Sequence, residues 1–184
     1  MWKHHLFVVL AIAWATQSMA AKRNFDFVLY NNTCTKYDDV FKRFDCAHKM
    51  VSKGRYLFDC FFMFARPLHK EAILQMILHY TPLKGIKPVK FLDVKINVCD
   101  ILGQSGSNVP LMKALFKEFR KNSDLPYGCP VRGDNLYSMV NYSLDASTLP
   151  PYTPIMVFNY TLLLFEHNKK IGSVHTSGAT VPRI

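Results

Sequence analysis

The chain has 184 residues and a formal net charge of +10, from 23 Lys and Arg against 13 Asp and Glu. Its length suits one domain with a core of its own, and no low-complexity linker or internal repeat interrupts it. The basic balance points to anionic lipid headgroups or acidic glycans, and equally to a generally solvated basic surface; no nucleic-acid motif occurs.

Residues 1–20 read as a cleavable secretory signal. Lys3, His4 and His5 form a basic start, Leu6 to Ala15 is an unbroken apolar run, and Ser18-Met19-Ala20 supplies small residues at a cleavage site. A membrane-spanning helix needs about twenty apolar residues, so this run is too short to remain an anchor. The best later candidate, Ile155 to Phe165, is broken by Asn159 and Thr161. The expected organisation is a signal peptide at 1–20 and a single domain at 21–184, secreted and extracellular.

Short apolar or aromatic runs then follow one another between turn residues: Phe25 to Tyr30, Tyr37 to Phe44, Arg55 to Phe64, Phe91 to Cys99, Leu136 to Leu144, Ile155 to Phe165 and Lys170 to His175. This spacing, rich in Phe, Val, Tyr and Ile, predicts an all-β sandwich. Glu71 to Tyr80 suits a helix through Ile73, Ile77 and Tyr80, but its length and flanking Pro67 and Pro82 favour a strand. One segment is helical by pattern. Leu111, Met112, Leu115, Phe116 and Phe119 fall on one side of Leu111 to Lys121, and Lys113, Lys117, Arg120 and Lys121 on another, giving a short amphipathic helix that packs on the sandwich or rests on a membrane.

Five cysteines, Cys34, Cys46, Cys60, Cys99 and Cys129, lie beyond the signal, so disulfides are expected and one thiol is left over. Cys60, among Phe58, Phe61, Phe62 and Phe64, reads as a buried free thiol. Three glycosylation sequons accompany them, at Asn31, Asn141 and Asn159. A glycan must face solvent, which orients two strands by alternation. Asn159 outward sends Val157, Thr161 and Leu163 outward, and Met156, Phe158, Tyr160, Leu162 and Leu164 inward. Asn141 outward sends Leu136, Ser138, Val140 and Tyr142 inward. Such inward sets fill a core or line an apolar cavity, and pattern alone does not separate the two.

Catalytic and metal-binding signals are sparse. There is no nucleophile elbow, HExxH, P-loop or dinucleotide fingerprint. His48, His69, His79, His167 and His175 have no partner at ligand or triad spacing, and no two cysteines lie at zinc-finger spacing. Gly103-Gln104-Ser105-Gly106 reads as a flexible loop, without the strand-to-helix context of a phosphate cradle. The expectation is a protein without catalysis, metal or cofactor.

From Cys99 onward, four stretches carry a resemblance. They are Asn97-Val98-Cys99-Asp100-Ile101-Leu102, the helical Val109 to Lys121, Cys129-Pro130 with Gly133 and Leu136-Tyr137-Ser138, and Leu149-Pro150-Pro151-Tyr152-Thr153-Pro154. In that order they resemble the ganglioside activator branch of the lipid-recognition (ML) superfamily. They resemble more closely an insect family of secreted proteins of unknown function related to that branch, some members of which are similar to chemosensory proteins.

The resemblance implies an ML-type, immunoglobulin-like sandwich whose sheets splay around a cavity for a lipid tail, with Cys99 paired to Cys129. Cys34 with Cys46 is the natural second pair. The activator's late cysteine, which ties its final strand to its first, has no counterpart near Ser173 and Val174. The candidate cavity lining is Phe62, Phe64, Met156, Phe158, Leu162 and Leu164, closed at one end by Leu115 and Phe119. The expected function is a non-catalytic extracellular carrier of a lipophilic ligand. The alternative is a filled sandwich acting through its basic surface on a receptor, membrane or glycan.

Overall fold

In the computed structural model, the structure describes residues 23–103, 116 and 119–183. The expected signal at 1–20 and most of the expected amphipathic helix, Leu115 included, lie outside the described residues. The protein is all-β, as the run spacing predicts. Among the described residues eight strands follow in chain order: β1 (Phe25–Lys36), β2 (Phe41–Ser52), β3 (Arg55–Phe64), β4 (Ile73–Pro82), β5 (Val89–Asn97), β6 (Leu136–Asp145), β7 (Met156–Glu166) and β8 (Lys169–Pro182). One short helix, α1 (Val98–Leu102), follows β5, with Asn97 as its N-cap accepting from the Cys99 amide at 2.7 Å.

The strands form two sheets, a five-stranded one in the order β1-β8-β7-β4-β5 and a three-stranded one in the order β2-β3-β6. Tight turns set the register. Gly54 takes φ 72 between β2 and β3. His167 and Asn168, at φ 49 and φ 62, form a two-residue hairpin that leaves Glu166 opposite Lys169.

Residues directly opposite each other share a face, so the register identifies the interior. Phe27 and Leu29 on β1 face inward with Thr180 and Gly178 on β8, and with Met156 and Phe158 on β7. A side chain at Gly178 would meet the Phe158 ring at 2.5 Å, so only a bare backbone lets that ring lie flat on β8. From the other sheet come Tyr56, Phe58, Cys60, Phe62 and Phe64 of β3, opposite Leu144, Tyr142, Met139 and Tyr137 of β6.

The buried core falls into three groups. One holds Phe41, Phe64, Val131, Tyr137 and Ile171 at one end of the sandwich. A second holds Phe27, Leu29, Tyr56 and Phe158 at the other end. The third, Phe58, Cys60, Met139 and Tyr142, covers the inner face of the small sheet.

On β7 the alternation set by Asn159 matches the register throughout: Met156, Phe158, Tyr160, Leu162 and Leu164 point inward. On β6 it does not. Cys60 pairs with Met139 and Phe58 with Tyr142, so one residue is inserted between them, and Asn141 adopts φ 58. This bulge reverses parity. Tyr137, Met139, Tyr142 and Leu144 face the core, whereas Leu136, Ser138 and Val140 face solvent.

Candidate functional site

The two sheets meet most closely where β1 lies beside β2. There Cys34 and Cys46 are joined, a bond between sheets rather than within one. Cys99 and Cys129 are joined as well, fastening α1 to the segment that leads into β6. Cys60 is free and buried. Among the described residues, the cluster of ligand-type side chains is Cys34, Cys46 and Cys60, whose sulfurs lie within 4.8 Å of one another, and the disulfide occupies two of the three.

Away from that closed edge, the inner face of β7, β4 and β5 is an apolar wall that is only half buried. Its rows are read from the register. Leu164 lies beside Leu74 and Ile96, Leu162 beside Met76 and Val94, and Tyr160 beside Leu78 and Leu92. Met76 is fully buried, while Leu74, Leu78, Leu92, Val94, Ile96, Tyr160 and Leu162 all keep partial exposure. Burial, with a smaller effect of Tyr142 on the facing sheet, pushes the Tyr160 phenol well above its ordinary pKa.

Seven of the eight cavity residues expected from sequence are among the described residues, and they are spread along the length of the sandwich. Phe64 is packed into the first core group with Leu164 against it, and Phe158 into the second at the opposite end. Phe62 bridges the first and third groups, and Phe119 packs on the third. Leu162 and Met156 belong to the half-buried inner face of β7. Leu115 lies outside the described residues. The lining that sequence reasoning missed is Leu74, Met76 and Leu78 of β4 and Leu92, Val94 and Ile96 of β5, the last three alternating with Asp93 and Lys95 in a run already read as a strand.

One polar spot lies beside the wall, on β1 and β8 toward the closed edge. A bulge between Leu29 and Asn31 turns Asn32 inward, opposite Thr176 and in the row of Tyr160. The Asn32 Oδ1 accepts a hydrogen bond from Thr176 Oγ1 at 2.8 Å. Asn31 and Asn159 lie outward on either side of Ser177, both exposed, so two sequons share the outer face of the large sheet. Asn141 is exposed at the β6 bulge.

Charged groups gather at the two ends. Glu166 is buried at 3% exposure and accepts from Arg66 Nη1 at 2.9 Å and from the His69 amide at 2.8 Å. Arg66 holds the Glu166 carboxyl below the usual carboxylate range. His69 and His167 meet with ring centroids 4.3 Å apart and planes tilted by 50°, a pairing that sequence spacing did not reveal. At the opposite end Arg23, Lys53, Arg55 and Arg183 surround an open cleft with Asp26 and Asp145; Arg183 Nε donates to Asp26 at 2.7 Å.

Residues 74–160 match the model of the DUF1091 family, described as a protein of unknown function. The match begins at Leu74 in β4 and ends at Tyr160 in β7, so it holds nearly all of β4, β5 and β6 and the first part of β7, and leaves out Leu162 and Leu164 of the half-buried wall. No curated protein matches the chain. No helix among the described residues is long and apolar enough to cross a membrane.

Proposed function

We propose that the protein is a secreted, non-catalytic binding protein that holds a small lipophilic ligand between its two sheets. The observation that carries this is the inner face of β7, β4 and β5: three adjacent strands present Leu, Ile, Val and Tyr side chains that the small sheet leaves partly exposed. A filled sandwich buries such a face, since each square ångström of apolar surface removed from water contributes about 25 cal/mol. A lipid tail laid along the wall gains that contribution instead. Two disulfides suit export to an oxidising compartment.

The resemblance to the lipid-recognition superfamily supports the same reading. Val174, near the place where the ganglioside activator carries its late cysteine, stands directly opposite Cys34 on β1, and Cys34 turns to Cys46 instead. Native mass spectrometry of protein from insect cells is the direct test. A co-purified lipophilic mass, released by organic solvent, is the expected result. Protein that carries none and takes up no lipophilic probe overturns the proposal.

A second reading, action on an anionic membrane surface, is favoured by the β4–β5 connection. Leu83 and Ile86 are 76% and 96% exposed, and Phe91 beside them is also exposed. Lys84, Lys87 and Lys90 alternate with these apolar groups. Apolar side chains ringed by lysines match the interface of a bilayer with negative headgroups. A membrane-docking hairpin and a lipid-holding interior are compatible in one protein.

A further inference from the structure

We infer that the interior site selects a ligand bearing a neutral, hydrogen-bond-accepting oxygen, of the class of long-chain ketones, aldehydes or esters, and that Asn32 donates to that oxygen. The inference rests on the lipophilic-binding proposal and specifies its ligand.

Asn32 is 9% exposed, and its Nδ2 has no hydrogen-bond partner, while its Oδ1 is engaged by Thr176. A buried amide donor left unpaired is costly, and native structures satisfy nearly all such groups. The register places this donor in the interior. Its row runs from Asn32 through Thr176 and Tyr160 to Leu78 and Leu92. On one side lies the row Cys34, Val174, Leu162, Met76 and Val94; on the other, Leu29, Gly178, Phe158 and Tyr80. The donor is therefore flanked by apolar groups along the whole width of the sheet, which suits a single oxygen on a long hydrocarbon.

Among the described inward residues of these three rows none is charged. A carboxylate would be buried there without a counter-charge, an arrangement far more costly than a neutral carbonyl. The raised pKa of the Tyr160 phenol in the same row is consistent with that low polarity.

The test is displacement of N-phenyl-1-naphthylamine by a long-chain methyl ketone, the matching secondary alcohol and the terminal alkene of equal carbon count. Wild-type protein should bind the ketone more tightly than the alkene by about tenfold or more, the usual cost of leaving a buried donor unmet. The Asn32→Leu variant should bind the alkene at least as well as wild type and lose the preference. Equal wild-type affinity for ketone and alkene, as a buried water on Nδ2 would produce, overturns the inference while leaving a lipophilic site in place. A preference for the alcohol over the ketone overturns the donor role of Asn32. Failure of wild type to bind the probe or any of the three overturns this inference and the lipophilic reading together. Should Asn32→Leu not fold, the wild-type preference decides alone.

Discussion

Cys46 and Cys60 stand directly opposite each other on β2 and β3, and their sulfurs lie 3.7 Å apart although Cys46 is bonded to Cys34. Burial, with a smaller contribution from Asp45, pushes the Cys60 thiol from 9.0 up to about 12. Below pH 9 the thiol is protonated whether the chain is folded or not, and its contribution to stability is complete. Between pH 9 and about 12 the unfolded chain releases the proton first, so stability falls as pH rises through that window. Urea melts over this range should show a steeper alkaline loss for wild type than for Cys60→Ala. Iodoacetamide should alkylate Cys60 only after unfolding, and peptide mapping of the folded protein should find Cys34–Cys46 and Cys99–Cys129 intact. Identical pH slopes in the two proteins would contradict the buried thiol.

The buried carboxylate of Glu166 sets a second test. Arg66→Ala removes its charged partner and should cost about 1–3 kcal/mol, the range for a buried acceptor left unsatisfied. The Glu166 pKa is depressed by the Arg66 hydrogen bonds, so its stabilising contribution is present above the unfolded carboxylate value and lost as pH falls. Glu166→Gln should flatten the acid side of the stability profile. An acid limb as steep as that of wild type would show that Glu166 does not carry it.

Asn141 tests the β6 bulge. Its φ of 58 is tolerated by Asn and Gly but strained in a β-branched residue. In protein made without glycosylation, Asn141→Gly should be near neutral, and Asn141→Val should cost roughly 1–3 kcal/mol. Equal stability of the two would mean that the strand is regular there and that the parity of Leu136, Ser138 and Val140 is wrong.

Much of this architecture was legible in the chain, and the exceptions have physical causes. Arg55 to Phe64 reads as a strand because large side chains occupy nearly every position, and β7 reads correctly because Asn159 fixes which parity is wet. The same logic misplaced Leu136, Ser138 and Val140, since a bulge is one inserted residue with no composition of its own. The second half of β2 escaped notice because His48, Lys49, Met50 and Val51 are all exposed and show no alternation. Val98 and Cys99 were read as the end of the run from Phe91, but Asn97 caps a helical turn there. Asn32 was hidden in a sequon, where Asn31 drew attention outward and the bulge that turns its neighbour inward left no mark.

The hairpin between β4 and β5 gives a membrane test that leaves the sandwich intact. Replacing Ile86 and Leu83 by Ser, or Lys84 and Lys87 by Glu, should each reduce binding to vesicles containing phosphatidylserine, with the wild-type interaction weakening as salt rises. These side chains are exposed, so melting temperature should barely change. Vesicle binding indifferent to both sets of substitutions would remove the membrane from this hairpin.

Leu162→Trp separates a ligand-holding interior from a filled one most directly. Leu162 points inward beside Met76 and Val174 and is only half buried. In an interior with room for a ligand, Trp occupies the space a tail would take, so the ligand-free variant should melt close to wild type while uptake of N-phenyl-1-naphthylamine is abolished. In a filled core the added volume would force repacking at a cost of about 1–3 kcal/mol. Probe uptake by wild type, lost in a variant of unchanged stability, is the predicted result. A strongly destabilised variant together with a wild type that binds no lipophilic probe would contradict it.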